Sequence, residues 1–193
     1  LNCGLGTFLM PVCGGALLWK GGELFAVLDA IFAETPDSVP FLLCVVLCSL
    51  ASMNFMTAPS VSLEGKSLWL LQSLPVESWR IFQAKIRMQL LLTGLPLLLC
   101  IGCTAAVYPL HPMQILMLLL FASSYTLLMA LVGLFFGVKM PTLTWTNEIM
   151  PIKQGAPVMI TLFCGFGYMA LLFVGFMLLP GWTLGFLGYM SCF

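Results

Sequence analysis

Long apolar runs separated by shorter polar segments dominate the pattern of this chain. Four of these runs are long enough to cross a bilayer, at about 39–58, 88–108, 113–138 and 158–180. A membrane-spanning helix needs about 20 apolar residues, because each adds about 1.5 Å and the hydrocarbon core is about 30 Å thick. The pattern therefore predicts at least four transmembrane helices.

A weaker fifth run covers about 2–19 and is interrupted by Pro11 and by the glycine pair Gly14–Gly15. The runs are apolar on every side, as in Leu116–Phe121, and lack the period-2 alternation typical of a membrane β-barrel. We predict an all-α fold, a single polytopic transmembrane helical bundle over 1–193 with about five spans and short interfacial helices. We expect the lipid bilayer to be a partner of this bundle.

Three shorter stretches add detail to this bundle. Residues 23–37 have the pattern of an amphipathic helix, with apolar residues on one face and acidic residues on the other. This pattern favours a position in the membrane interface, where the helix either packs on neighbouring helices or forms a gate. Residues 181–193 are apolar but short, and predict the start of a further span. The chain begins at Leu1 and ends in this apolar stretch, so we expect it to be part of a longer protein.

Composition narrows the class of protein. The 193 residues are 61% apolar and only 7% charged, whereas a soluble domain carries about 25% charged residues. The mean hydropathy is +1.10 and the formal net charge is zero. This balance excludes a soluble enzyme, a secreted disulfide scaffold and a disordered chain. It also predicts no nucleic-acid partner, because no basic stripe is present to neutralise phosphates.

The basic residues predict the orientation. Six of the seven fall in two alternate loops, at about 59–87 and 139–157: Lys66, Arg80, Lys85, Arg87, Lys139 and Lys153. By the positive-inside rule these two loops are cytoplasmic. The prediction is a multi-pass protein of the plasma (inner) membrane.

The spans lack the residues that intramembrane chemistry needs. The four clear runs contain no Asp, Glu, Lys, Arg or His, and His111 lies in a short turn. Such residues mark proton relays, ion sites or metal sites when they lie in a membrane. The pairs Cys44/Cys48 and Cys100/Cys103 lie in apolar runs, where cysteine packs as a small apolar residue. We therefore predict that the chain is not an enzyme and holds no catalytic residue, metal or cofactor.

The first predicted loop, 59–87, is longer than a simple turn requires. It fits two short helices, one over about 63–74 and one that starts at Pro75 and runs into the third span. Trp69 and Trp79 suit the level of the lipid headgroups. An ordinary membrane-hugging elbow explains these tryptophans but does not explain the length of the loop.

The second predicted loop, 139–157, is polar and contains two prolines. It places Trp145, Asn147, Glu148 and Lys153 within nine residues of one another. A turn between two spans needs only a few residues. The excess length predicts a surface for a cytoplasmic partner.

Both loops carry a resemblance to a known family. The residues are Ser62–Val76 (SLEGKSLWLLQSLPV), followed by Ala84 and Lys85, then Pro141–Glu148 (PTLTWTNE), followed by Ile152, Lys153 and Gln154. In order and spacing they resemble the permease subunits of bacterial type 2 ATP-binding-cassette (ABC) exporters, in particular the large permeases of Gram-positive bacteria. The resemblance covers about 55–160, and members of the family are longer than this chain, which looks like part of the second half of such a permease.

The resemblance implies a transmembrane subunit of an exporter that moves an unknown substrate with ATP hydrolysed by a separate cytoplasmic nucleotide-binding ATPase subunit. ATP and Mg would be bound by that partner, since this chain has no G-x-x-x-x-G-K-[ST] loop. A second permease copy is a further candidate partner. The expected ATPase-docking residues are Glu64, Gly65, Lys66, Trp69, Pro75, Arg80, Lys85, Trp145, Asn147, Glu148, Lys153 and Gln154.

Two alternative functions remain open. The first is a membrane scaffold or assembly protein without transport activity, whose loops bind a partner that is not an ATPase. The second is an ion-coupled carrier, which would need titratable residues outside this chain or an ion site built from backbone carbonyls.

Overall fold

The computed structural model describes residues 4–32, 38–64, 73, 77–141, 155–178, 188 and 190. Regular structure in this part of the chain is helical, without strands. In chain order the helices are α1 (Leu5–Ile31), α2 (Ser38–Ser52), α3 (Thr57–Leu63), α4 (Ser78–Val107), α5 (Pro112–Lys139) and α6 (Ala156–Leu178). The predicted all-α class is thereby confirmed.

Three of these helices are long and apolar enough to cross a membrane: Trp79–Val107, Pro112–Lys139 and Ala156–Phe176. They correspond to the last three predicted spans, and they make the chain compatible with a membrane-embedded protein. Each run satisfies its backbone hydrogen bonds internally as a helix, which is the only arrangement open to a single apolar segment in lipid.

The second predicted span, 39–58, is divided in the structure. Its helix, α2, ends at Ser52 after 15 residues, and the chain becomes helical again only at Thr57, where α3 begins. Between them Met53 and Asn54 donate their backbone N–H groups to Leu50 and Ala51, three residues back instead of four. We call residues 53–57, which end with the first residue of α3, the break.

The weak first span and the interfacial helix form one element. Helix α1 continues from Leu5 through Pro11 and the glycine pair to Ile31, so residues 23–31 are not a separate helix. The reason is a tertiary contact: Phe25 is buried and its ring lies 4.9 Å from that of Tyr108, just beyond the end of α4. This contact keeps the second half of α1 in line with the first.

The structure describes only part of the two helices predicted for the 59–87 loop. The segment at 59–87 begins inside α3 and ends inside α4, which starts at Ser78 and runs unbroken into the apolar span. Residues 65–72 and 74–76, which hold most of the predicted 63–74 helix and Pro75, lie outside the described residues. So do residues 142–154 of the second predicted loop.

The helix directions bring the charges to one end of the bundle. Helices α4 and α5 form an antiparallel hairpin through the short turn at 108–111, where the Gln114 side chain accepts a hydrogen bond from the His111 N–H. The start of α4 and the end of α5 therefore lie at the same end. That end carries Arg80, Lys85, Arg87 and Lys139, and we call it the basic end; the other is the far end.

Helix α2 lies at the centre of the core, against α1, α5 and α6. Its Phe41 ring stacks on Phe176 of α6 at 4.2 Å, and both side chains are buried. Large apolar residues on the outer faces, such as Leu91 of α4, remain exposed and are available to contact lipid. In a bilayer such a core is held by close packing and polar contacts more than by the hydrophobic effect.

Candidate functional site

Of the twelve predicted docking residues, the structure describes Glu64, Arg80 and Lys85. The other nine lie outside the described residues: Gly65, Lys66, Trp69, Pro75, Trp145, Asn147, Glu148, Lys153 and Gln154. The three that are described all lie at the basic end, where α3 ends and α4 begins.

Glu64 and Lys85 form an ion pair with each other. The Lys85 Nζ lies 2.5 Å from the Glu64 Oε2, with side chains that are 12% and 36% exposed. A pair this sheltered is screened less by solvent than a surface pair, and an unpartnered Lys85 would keep a costly desolvated charge. The pair therefore fastens the end of α3 to the side of α4.

Arg80 has a different environment. Its Nε lies 3.7 Å from the Glu77 Oε2 in a pair whose side chains are both about three-quarters exposed. Such pairs contribute little to stability, so the Arg80 guanidinium remains available to a partner. The neighbouring Trp79 is also exposed, which suits a position at the headgroup level.

A cleft of about 310 Å³ lies between α3 and α4, next to the Glu64–Lys85 pair. Both helices and the break contribute to its walls: Met56, Thr57, Ser60, Glu64, Ile81, Ala84, Lys85 and Met88. The middle of α3 is therefore separated from α4 by open space. The two helices meet through polar side chains at the two ends of α3.

The second contact of α4, at the start of α3, is made by its Gln89 side chain, which bonds to the break. Its Nε2 donates to the Asn54 carbonyl and its Oε1 accepts from the Thr57 N–H, both at 2.9 Å. A helix interruption leaves backbone donors and acceptors without partners, and each costs several kcal/mol in a membrane. A primary amide carries both a donor and an acceptor, so the buried Gln89 side chain satisfies one group of each kind.

Side chains of the break reach two further helices. The Asn54 Oδ1 accepts from the Thr7 N–H at 3.0 Å and from its hydroxyl at 3.2 Å, at the start of α1. The Thr57 hydroxyl donates to the Ala130 carbonyl of α5 at 3.1 Å. The break is thus hydrogen-bonded to α1, α4 and α5 at once.

Glycines allow the surrounding helices to approach the break. A Cβ on Gly6 would stand 2.5 Å from the Leu50 carbonyl oxygen, and one on Gly137 would stand 2.6 Å from that of Ala58. A Cβ on Gly133 would stand 2.6 Å from the Thr57 hydroxyl. Small residues at such positions are the usual means of close helix contact in membranes.

Two buried polar atoms here have no hydrogen-bond partner within the described part of the chain, the Asn54 Nδ2 and the Thr93 hydroxyl. Thr93 lies one helical turn beyond Gln89 on α4. The sequence interpretation missed this polar group because it considered only charged and metal-ligating residues inside the spans. The available signal was the presence of Asn54 and Gln89 in otherwise apolar runs.

Three of the four cysteines in the predicted pairs are buried, as packing predicts, and the fourth, Cys103, is half-buried. Cys44, Cys48 and Cys100 are buried in the apolar core among α1, α2, α4 and their neighbours. Within the described ranges, no cluster of three His, Cys, Asp or Glu residues has an arrangement that could hold a metal ion.

No protein-family model, curated protein or solved structure matches this chain.

Proposed function

We propose that this chain is the membrane-embedded permease subunit of a type 2 ABC exporter of the plasma membrane, driven by a separate ATPase subunit bound at its basic end. The observation that carries the proposal is the gathering of Glu64, Arg80 and Lys85 where α3 ends and α4 begins. These are the docking residues that the family resemblance implies and the structure describes. ATP and Mg belong to the partner.

The proposal includes five spans. Thr7 is hydrogen-bonded at the break, and Gly21 lies against Val107 at the far end, so the first part of α1 extends over the same depth as α4 from Gln89 onward. The part of α4 from Gln89 to Val107 rises about 27 Å, close to the hydrocarbon thickness. We assign α1, and α2 together with the break, as spans beside the three long apolar helices.

The source of energy follows from the composition of the spans. Residues 88–107, 112–138 and 156–178 contain no charged side chain. A carrier driven by protons or sodium ions ordinarily relies on such groups in the membrane. An external ATPase that moves the cytoplasmic ends of the helices requires none.

Copurification tests the proposal directly. The permease is coexpressed with nucleotide-binding ATPase subunits from the same genome, and the complex and its ATP hydrolysis are measured in phosphatidylethanolamine and phosphatidylglycerol vesicles. Arg80→Glu, an exposed charge reversal at the basic end, is expected to reduce the affinity for the ATPase by about tenfold. Lys20→Glu, an exposed charge reversal on α1 toward the far end, is the matched control and is expected to have no effect.

Equal copurification of the two variants would contradict docking at the basic end. Failure of the unmodified permease to bind or stimulate the ATPase would contradict the function itself. Binding of a partner that has no ATPase activity would favour a scaffold.

A further inference from the structure

Helix α3 is attached to α5 and to α4 in different ways. Toward α5 it is closely packed, because Gly137 approaches the Ala58 backbone and Gly133 approaches the Thr57 hydroxyl. Toward α4 it is separated by the cleft and held at its ends by Gln89 and by the Glu64–Lys85 pair. Close-packed surfaces resist displacement, because sliding creates overlaps and voids. Movement between α3 and α4 is therefore the less hindered of the two.

The contact at Gln89 also bears on α2. Asn54 and Thr57, whose backbone groups the Gln89 amide holds, close the gap between the end of α2 and the start of α3. Helix α2 in turn packs against α5 and α6 in the core. A displacement of α4 at the basic end thus reaches α2 through this side chain, one helical turn beyond Lys85.

We propose that Gln89 is a positioning residue for ATP-driven transport: its amide couples α4 to the break, so that movement of the docked ATPase is passed to α2. This proposal rests on the proposed function. Loss of the amide would leave the ATPase bound and able to hydrolyse ATP, and would separate that hydrolysis from the rearrangement of the spans.

The experiment uses the full-length permease–ATPase complex in vesicles of phosphatidylethanolamine and phosphatidylglycerol. Three quantities are measured: binding of the ATPase, stimulation of its ATP hydrolysis by the permease, and the change in amide hydrogen exchange over residues 38–58 when the ATPase is trapped with ADP and vanadate. Gln89→Leu removes both hydrogen bonds of the amide. Gln83→Leu makes the same change on the same helix, at a partly exposed position, and is the control.

Gln89→Leu is expected to keep the ATPase bound, to lower its stimulation by about tenfold and to abolish the exchange change over residues 38–58. Gln83→Leu is expected to match the unmodified complex in ATPase binding, in stimulation and in the exchange change. Stimulation and an exchange change in Gln89→Leu equal to those of the unmodified complex would overturn the proposal and leave the proposed function intact. An unmodified permease that binds no ATPase would overturn both.

A second variant separates loss of coupling from misfolding. In Gln89→Glu a protonated carboxyl still offers an O–H donor and a carbonyl acceptor, whereas an ionised carboxylate offers acceptors alone. The charged groups described on the adjoining parts of α3, α4 and α5 are Glu64 and Lys85, which are paired with each other, and Arg87 and Lys139, which are exposed. The ratio of stimulation by Gln89→Glu to stimulation by the unmodified permease is expected to be high at about pH 5, and to fall reversibly as the pH rises toward about 8. A ratio that does not change with pH would overturn the role of the amide.

Discussion

Helices α1 and α4 run side by side, yet they are held in different ways at their two ends. At the basic end Thr7 of α1 is hydrogen-bonded to Asn54, whose carbonyl accepts from Gln89 of α4. Toward the far end the contacts are mainly apolar: Gly21 lies against Val107, and the Phe25 ring lies beside that of Tyr108.

This difference indicates where the arrangement of the helices is specified. Apolar contacts between helices differ little from contacts with lipid chains, whereas a buried hydrogen bond has few substitutes in a membrane. The basic end therefore fixes the relative positions of α1, α3, α4 and α5. The far end follows by shape complementarity.

The largest effect is expected where α5 packs closely against the backbone of α3. Gly137→Ala places a Cβ 2.6 Å from the Ala58 carbonyl oxygen, so α3 must move away from α5. Such overpacking is expected to lower the free energy of unfolding by about 2–3 kcal/mol, measured by unfolding in mixed micelles. Gly102→Ala on α4, where a Cβ would meet no atom within 4 Å, is the control and is expected to be neutral or slightly stabilising. Equal losses for the two variants would contradict the tight packing of α3 on α5.

Removal of the polar centre of the break comes next. Asn54→Ala removes the acceptor of the Thr7 hydroxyl and one of the two acceptors of the Thr7 N–H, which keeps the Gly4 carbonyl, and is expected to cost about 2 kcal/mol of unfolding free energy. Hydrogen exchange at the start of α1 should rise at the same time. Ser49→Ala on α2 removes only a local bond to the Val46 carbonyl, so a change below about 0.5 kcal/mol is expected. An Asn54→Ala protein as stable as Ser49→Ala would show that the break does not organise the basic end.

The ion pair at the basic end should show charge-swap rescue. Glu64→Lys leaves the sheltered Lys85 facing a like charge, and is expected to cost about 1–2 kcal/mol. The double variant Glu64→Lys with Lys85→Glu should recover most of this loss. Glu77→Lys, in a pair that is about three-quarters exposed, should change stability by less than about 0.5 kcal/mol. Additive losses in the double variant would contradict a direct pair.

The smallest effect is expected at the far end. Tyr108→Phe removes a hydrogen bond of 3.1 Å to the Asp29 carboxylate in an exposed position, so a loss of about 0.5 kcal/mol is expected. Burial, followed by the hydrogen bond to Asp29 and its charge, raises the pKa of Tyr108. The hydroxyl therefore stabilises the fold fully below the ordinary tyrosine pKa of about 10, and this contribution is lost as the pH rises through the raised value. A loss as large as that of Asn54→Ala would remove the contrast between the two ends.

The long helices could be predicted from the sequence because their cause is local. The predicted span 113–138 is α5 (Pro112–Lys139) to within one residue, and 158–180 is α6 (Ala156–Leu178) to within two. The helix predicted to continue from the 59–87 loop into the third span is present as one element, α4. The gathering of basic residues at one end followed from the alternation of these runs.

The candidate site could be predicted only in part. The sequence predicts Glu64 and Lys85 as docking residues, but it does not show that they pair with each other, because they are 21 residues apart along the chain. The role of Gln89 depends on a helix interruption that the apolar run 39–58 conceals. Buried amides are also overlooked when only charged residues are considered. In a membrane, however, an amide side chain can bond the backbone N–H and C=O groups that a helix interruption leaves without partners.

By itself the sequence determined that this chain is helical, which runs are long enough to cross a bilayer, and which end of the bundle carries most of the basic residues. Those features depend on residues close together along the chain. Only the tertiary structure decided that α2 stops at Ser52 and that α1 continues to Ile31. The first is accompanied by hydrogen bonds with Gln89, one donated and one accepted, and the second by packing on the ring of Tyr108, so both contacts come from distant parts of the chain.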